Sequence, residues 1–349
     1  MKILPTKNLK SYNSFSLNEH AALILEAETI KDLIQIWSCD EYSEYKKLPL
    51  GRGSNTLFCG SFSGIVVLNR LFGKKVDELE DSYLITVSSG EDWPSFVEWC
   101  VERNYYGVEN LAMIPGCVGS SPIQNIGAYG LELKDLCESV EYLELATLTL
   151  KRLNNDECLF GYRDSIFKQQ LKDKVIITAV TLRLTKKWQP LLTYGPLASL
   201  NKNGVTVKDV YEKICKIRSA KLPDPDVLGN AGSFFKNPII SNEKYADLLI
   251  KYPNIPGYAF GNKKKVAAGW LIDNAGLKGF EVNGAGVHKE QALVLVNNGN
   301  ATSKDVLELA HYVKTKVFEM YQIELEHEVR FYSGERETLL SELFNERAF

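Results

Sequence analysis

Ile114-Pro115-Gly116-Cys117-Val118-Gly119-Ser120-Ser121-Pro122-Ile123-Gln124-Asn125-Ile126-Gly127-Ala128-Tyr129-Gly130 packs four glycines, two prolines, two serines and an asparagine into one short segment. Glycine admits positive φ and lets a ligand approach the main chain closely. Successive backbone N–H groups in such a turn form a concavity suited to an anion, most often phosphate. The segment carries no lysine or arginine, so amides and hydroxyls would hold that anion. This points to a large cofactor with an embedded diphosphate; the alternative is a tight loop between two core elements.

A chain of 349 residues exceeds what one hydrophobic core usually serves, so two or three domains are expected. Hydrophobic content of 45% and charged content of 24% are ordinary for a soluble enzyme. A formal net charge of −3 gives no electrostatic argument for nucleic acid or an anionic membrane as partner. The one dense basic run, Lys263-Lys264-Lys265, reads as a solvated turn. The seven cysteines are scattered without a C-x-x-C pair, and the four histidines do not cluster with them. Neither a disulfide framework nor a metal site is expected, and a reducing cytoplasm fits. The N-terminus lacks a signal-peptide core, and no uncharged apolar run approaches the ~18 residues of a membrane span.

Strand-like segments recur at Gly64–Leu68, Tyr83–Ser88, Val140–Ala146 and Lys174–Leu184. Between the second and third lies a helix that Asp92 can cap, with Pro94 in its first turn and Phe96, Val97, Cys100 and Val101 along one face. The rhythm indicates an α/β or α+β domain over roughly residues 20–190. Lys221 to Asn230, rich in Pro, Asp and Gly, reads as a linker into a second domain. That domain is expected to hold a helix at Val266–Asn274, a buried strand at Gln291–Asn297, an amphipathic helix at Ser303–Tyr321 and a strand at Glu326–Tyr332.

A Rossmann fingerprint needs G-x-G-x-x-G between strand and helix. Gly51-Arg52-Gly53-Ser54-Asn55-Thr56 and Gly284-Ala285-Gly286-Val287-His288-Lys289 both lack the third glycine. The only Gly-Lys pair, Gly73-Lys74, is followed by Lys75 rather than Ser or Thr, which removes a P-loop. H-E-x-x-H and G-x-S-x-G are both absent. A dinucleotide would therefore sit on another scaffold, and Gly51–Asn55 together with Ile114–Gly130 could each wrap part of a diphosphate.

Seven ordered blocks carry a resemblance: Gly51–Asn55, Ile114–Gly130, Phe160-Gly161-Tyr162-Arg163-Asp164-Ser165, Gly229–Pro238, Ala267–Ile272, Asn283–His288 and Leu325–Arg330. The chain resembles the UDP-N-acetylenolpyruvoylglucosamine reductase (UDP-N-acetylmuramate dehydrogenase) family. The likeness is closest to the longer type I form, because Thr193-Tyr194-Gly195-Pro196-Leu197 matches a tyrosine-bearing loop absent from the shorter one. The resemblance implies an α+β protein. A PCMH or vanillyl-alcohol-oxidase-type FAD-binding domain would span residues 15–215 in two lobes, 15–70 and 71–215. A smaller α+β substrate domain would span 216–325, with 326–349 returning to the FAD domain. Arg52 occupies a variable slot and receives no role. The tail after Phe331, with Glu335, Arg336, Glu337 and Glu342, matches nothing in the family and reads as a solvated helix.

The implied reaction reduces an enolpyruvyl ether to a lactyl ether, hydride from reduced FAD reaching the terminal vinyl carbon and a proton reaching the carbon beside the carboxylate. It needs a cation, a proton donor and a group that keeps the charge in place. Arg163 fits the cation, since its planar fork holds a carboxylate bidentately; the plainer reading pairs it with Asp164. Ser233 is carried over as proton donor, a poor acid in water facing a strongly basic enolate; it otherwise reads as a turn or cap hydroxyl. Glu326 and Glu328, two apart on an expected strand, point to one face. The pattern does not choose between them, and the family motif before Val-Arg selects Glu328. A carboxylate beside an enolate should be partly protonated or paired with Arg163.

For non-covalent FAD the resemblance points to Gly53, Ser54, Asn55, Ile114, Pro115, Gly116, Ser120, Ser121, Asn125, Gly127 and Ala128, with Arg218 as a diphosphate or pyrimidine-ring contact. For the UDP diphosphate it points to Tyr194, Lys221 and Asn237, then Tyr258, Lys278 and Gln291; each alone reads as ordinary surface. NADPH has no motif of its own and is expected to share the substrate's pocket in a ping-pong cycle. A monomer is expected. Two rivals remain: a PCMH-type oxidase with covalently tethered flavin, for which the quoted stretch offers Cys117 but no histidine, and a non-catalytic UDP-sugar binder, which would be expected to have lost Arg163, Ser233 or Glu328.

Overall fold

The computed structural model describes residues 1–200 and 202–345. The chain divides into two units, each assembled from separate stretches. The first takes Met1–Thr6, Leu23–Arg52 and Ile65–Ala220, and the second takes Lys7–Ala22, Gly53–Gly64 and Lys221 onward.

In the first unit, β1 (Lys2–Ile3) lies antiparallel to β2 (Ala21–Ala27). Helix α1 (Ile30–Ser38) starts at a reciprocal cap between Thr29 and Asp32, which satisfies two of the amides that a helix start leaves open. β3 (Lys47–Leu50) runs parallel to the second half of β4 (Thr56–Asn69). After β5 (Lys74–Glu78) and β6 (Ser82–Ser88) comes helix α2 (Trp93–Glu102), capped by Asp92 as its sequence predicts, with Pro94 in the first turn. The two-residue strands β7 (Gly127–Ala128) and β8 (Leu131–Glu132) pair at the end of the glycine-rich stretch.

β9 (Cys137–Glu144), β10 (Thr149–Asn154) and β11 (Val175–Thr185) complete an antiparallel sheet of order β10-β9-β11-β6-β5. β11 is buried without interruption from Ile176 to Leu182, because this central strand is covered on both faces. Val140, Val180 and Leu182 share one buried apolar cluster with Phe96, Val97 and Cys100 of α2. Helix α3 (Val207–Lys221) closes the unit's chain.

The second unit is built on β12 (Gly229–Ser233), followed by β13 (Ile239–Ser241), α4 (Asn242–Lys251), β14 (Gly257–Phe260), β15 (Lys263–Val266) and α5 (Ala268–Asn274). Then come β16 (Glu281–Val282), β17 (Ala285–Val287), β18 (Val294–Asn297) and α6 (Ser303–Tyr321). One sheet runs β12-β18-β17-β16 and a second β13-β15-β14. The bounds of α6 are those its sequence predicts. Thr302 and Asp305 cap it reciprocally, and Val306, Leu309, Ala310, Val313 and Val317 are wholly buried. Burying a Val or Leu side chain contributes about 1.5–3 kcal/mol, so this stripe anchors the unit's core.

Three expectations shift. The helix expected from Val266 begins at Ala268, since Val266 ends β15. The strand expected from Gln291 begins at Val294, because Gln291 opens a turn whose carbonyl accepts from the Val294 amide at 3.0 Å. The tail is no simple solvated helix. β19 (Arg330–Gly334) and β20 (Arg336–Thr338) form a hairpin, and α7 (Leu340–Asn345) follows. Leu340 and Leu343 are buried in the core, while Glu337 pairs with Arg330 at 2.7 Å. The charged residues masked this apolar pair. β19 itself runs parallel to the first half of β4, Arg330 opposite Thr56.

Gly53 shows why a glycine is required in its turn. Its φ is +63°, and an added Cβ would lie 2.1 Å from the Tyr12 carbonyl oxygen. Gly53→Ala is expected to destabilise the protein by at least about 1–2 kcal/mol from the left-handed backbone alone, read as a lower Tm of the cofactor-free protein. An unchanged Tm would show that the turn moves freely.

Candidate active site

In the first unit the glycine-rich stretch is forced into shape by its backbone. Met113, Asn125 and Tyr129 take φ of +57°, +45° and +49°, alongside Gly116 at +124° and Gly130 at +84°. Such conformations cost energy in non-glycine residues and persist where surroundings impose them. The serine hydroxyls turn inward: Ser120 Oγ donates to the Cys117 carbonyl and Ser121 Oγ to that of Val118, each at 2.7 Å. Asn125 is fully buried. Its Nδ2 donates to Glu132 Oε2 and to the Gly161 carbonyl, both at 3.0 Å, and its Oδ1 accepts from the Lys134 amide. These three side chains shape the loop, so what Ile114, Pro115, Gly116, Gly127 and Ala128 offer a ligand is chiefly main chain.

The Arg163 turn is riveted to this loop. Gly161 and Asp164 exchange backbone hydrogen bonds of 2.9 and 3.4 Å, leaving Tyr162 and Arg163 at the tip. Arg163 has φ +54°, its Nη2 donates to the Gly127 carbonyl at 3.3 Å, and its guanidinium lies over the Tyr162 ring. Ser165 Oγ donates to the Ile123 carbonyl at 2.7 Å. The Asp164 carboxylate accepts from Gln169 Nε2 and from the Ser165 amide. Lys168, absent from the sequence reading, donates to the Arg163 carbonyl at 2.9 Å.

Arg218, on α3, donates through Nη2 to the Met113 carbonyl at 3.2 Å and pairs with Tyr129. Burial pulls its pKa down and pushes the Tyr129 hydroxyl up. No spacing signal connects the two in sequence. Arg218 Nε is buried with no hydrogen-bond partner among the described residues.

In the second unit three expected motifs converge. Ser233 is exposed at the end of β12, where the register with β18 shifts after Asn230. Gly232 before it has φ +68°, and Phe234 and Phe235 after it are core residues. The Phe234 carbonyl accepts the Glu328 amide at 2.8 Å. The Glu328 carbonyl accepts Asn55 Nδ2 at 3.3 Å, and the Asn55 carbonyl accepts the Arg330 amide at 3.0 Å. Ser233, Glu328 and the Gly53–Asn55 turn thus belong to one hydrogen-bonded chain of segments.

Glu326 to Val329 form no regular strand, which corrects the expected one. A single bridge, His327 opposite Phe235, joins this extended segment to residues 234–236. At Arg330 the chain changes partner to β4, and that exchange interrupts the ladder. Glu326 is exposed and paired with Lys236 at 2.9 Å, while Glu328 is half-buried. His327 bonds the Val329 carbonyl at 2.7 Å and stacks on Phe331; burial holds its pKa below the usual imidazole value.

The expected UDP contacts are spread through both units. Tyr194 is exposed, edge-on to Tyr129, and Lys221 is exposed at the last turn of α3. Asn237 Oδ1 accepts the Ala268 amide at the start of α5 at 2.9 Å. Gln291 Oε1 lies beside Gly269 of the same helix. Lys278 pairs with Asp273 at 3.2 Å, and Tyr258 on β14 faces Lys265 across the sheet. Among the described residues no group of three His, Cys, Asp or Glu side chains could hold a metal ion, and no helix is long and apolar enough to cross a membrane.

Residues 21–150 match the family model described as "FAD binding domain", and residues 224–332 match "UDP-N-acetylenolpyruvoylglucosamine reductase, C-terminal domain". Curated proteins named UDP-N-acetylenolpyruvoylglucosamine reductase align over nearly their whole length. The one from Aliivibrio fischeri is 67% identical, covering 99% of both chains. That from Photobacterium profundum is 53% identical, covering 98% of this chain and 99% of its own. The crystal structure of the Thermus caldophilus UDP-N-acetylenolpyruvylglucosamine reductase shares the fold, with a TM-score of 0.65 at 23% identity over 95% of this chain and 99% of that one.

Fold and site together define an FAD-dependent oxidoreductase of α+β architecture, with an FAD-binding domain followed by a family-specific C-terminal domain. The chain belongs to the UDP-N-acetylenolpyruvoylglucosamine reductase family. The residues fit FAD on one internal observation. A buried guanidinium N–H without an acceptor requires one, and the Arg218 Nε beside the left-handed Met113–Tyr129 loop is such a group. A carbonyl-rich or phosphate-bearing cofactor would supply it.

Proposed function

We propose that the protein reduces the enolpyruvyl ether of UDP-N-acetylglucosamine enolpyruvate to the lactyl ether of UDP-N-acetylmuramate in peptidoglycan precursor synthesis, with NADPH as electron donor. The observation that carries this reading is the link from the Ser233 strand through Phe234 to Glu328, and from Glu328 to Asn55. FAD, when bound, supplies the hydride chemistry, held without a covalent tether by the 53–55 turn, the 114–128 loop and Arg218.

Arg163 binds the substrate carboxylate and the enolate charge that grows on it; a preorganised guanidinium stabilises charge at no reorganisation cost when the reaction occurs. Ser233 Oγ delivers a proton to the carbon beside the carboxylate. Glu328 keeps charge in place around that transfer. Tyr194, Lys221 and the Asn237 amide hold the diphosphate, with Tyr258, Lys278 and Gln291 as further contacts. The FAD-binding domain spans 15–215, the substrate domain 216–325, and the remainder returns to the FAD domain. NADPH uses the substrate's pocket and leaves first, and the enzyme acts as a cytoplasmic monomer.

The test is anaerobic. NADPH should bleach the bound flavin, and the enolpyruvyl substrate added next should restore its colour. Denaturation should release free FAD. A flavin that stays reduced sinks the assignment, and colour retained on the denatured chain favours a covalent oxidase instead.

A further inference from the structure

Arg52, to which the sequence assigns nothing, is held by an ion pair. Its guanidinium Nη1 donates to Asp92 Oδ1 at 3.0 Å. Gly51 packs so closely on the Cys117 thiol that an added Cβ would lie 3.0 Å from Sγ. Asp92 has a second duty at the other carboxylate oxygen, accepting from the Ser95 amide and hydroxyl at 3.0 and 2.7 Å to cap α2. The backbone on either side of Asp92 is laced to the glycine-rich stretch. Trp93 N–H donates to the Gly116 carbonyl at 3.0 Å, and the Val118 amide donates to the Glu91 carbonyl at 2.8 Å.

One ion pair therefore joins three things: the residue directly before Gly53, the start of α2, and the Gly116–Val118 backbone. We infer that Arg52 and Asp92 are a positioning pair that fastens the first glycine turn to the second glycine-rich loop and thereby tightens FAD binding. The inference rests on the FAD reading above; wild-type protein that fails to bind FAD would sink that reading, whereas the variants below judge the pair alone.

The pair is partly solvated, with side-chain exposures of 52% and 26%, so its effect is modest and sensitive to salt. Arg52→Ala should weaken FAD binding by about 2- to 5-fold at low ionic strength, measured by flavin fluorescence quenching as cofactor-free protein is reconstituted. The gap should narrow at high salt. Asp92→Ser separates the two duties of Asp92, because serine remains a good N-cap but cannot pair with Arg52. It should match Arg52→Ala, and the double variant should be no weaker than either single. Arg52→Lys should recover part of the loss. Throughout, the Tm of the cofactor-free proteins should stay at the wild-type value. Unchanged affinity in both single variants, multiplicative losses in the double variant, or affinity falling in step with Tm would each overturn the inference.

Discussion

Replacing Ser233 with alanine should slow reoxidation of the reduced flavin by the enolpyruvyl substrate about 100- to 10,000-fold, the range typical of a lost general acid. Reduction of the flavin by NADPH should stay within about 2-fold of wild type, because that step asks no proton of the protein at the substrate carbon. The site makes this substitution informative. Ser233 is exposed at the end of β12, and the strained position before it belongs to Gly232, not to Ser233. Alanine keeps the Cβ and removes only Oγ, so the packing of Phe234 and Phe235 and the bond from Glu328 N–H to the Phe234 carbonyl are undisturbed. Stopped-flow absorbance resolves the two half-reactions. Cysteine at the same position, bearing a more acidic proton, should restore part of the rate. A loss of less than about 3-fold in the alanine variant would remove Ser233 from the chemistry.

What could be read in advance divides by range. Helices α2 and α6 carry their start signals within four residues, Asp92 with Pro94 and Thr302 with Asp305, and both signals are used. The long-range pairing of β19 with β4 has no local signature. Nothing near Arg330 announces Thr56 as its partner, and nothing in residues 7–22 or 53–64 announces that they join the second unit. The same limit applies at the site. Its glycines and the candidate side chains Arg163, Ser233 and Glu328 were legible as motifs, but a motif does not say which way a side chain turns. Ser121 bonds within the loop while Asn125 ties it to Glu132 and Gly161, and Arg52 meets an aspartate 40 residues away. The tail was misread because four charged side chains outweighed Leu340 and Leu343, which a pattern-based reading cannot place without knowing the core they enter.

Arg163 should show function bought at the expense of backbone comfort. Its φ of +54° is a conformation that costs a non-glycine residue about 1–2 kcal/mol. The bond from Nη2 to the Gly127 carbonyl returns about 0.5–1.5 kcal/mol. Arg163→Ala keeps the strain and loses the bond, whereas Arg163→Gly loses both the bond and the strain. The glycine variant should therefore melt no lower than the alanine variant, by roughly 1 kcal/mol in its favour, although glycine ordinarily destabilises relative to alanine. Both should lose about 100- to 1,000-fold in the rate of flavin reoxidation, the scale of a removed preorganised charge, and both should raise the KM for the enolpyruvyl substrate. Arg163→Lys keeps charge without the planar fork and should fall between them and wild type. Differential scanning calorimetry gives the stability order and stopped-flow absorbance the rates. If alanine proves the more stable replacement, the left-handed turn is not strained in solution. If either truncation retains wild-type reoxidation, the carboxylate is held by some other cation.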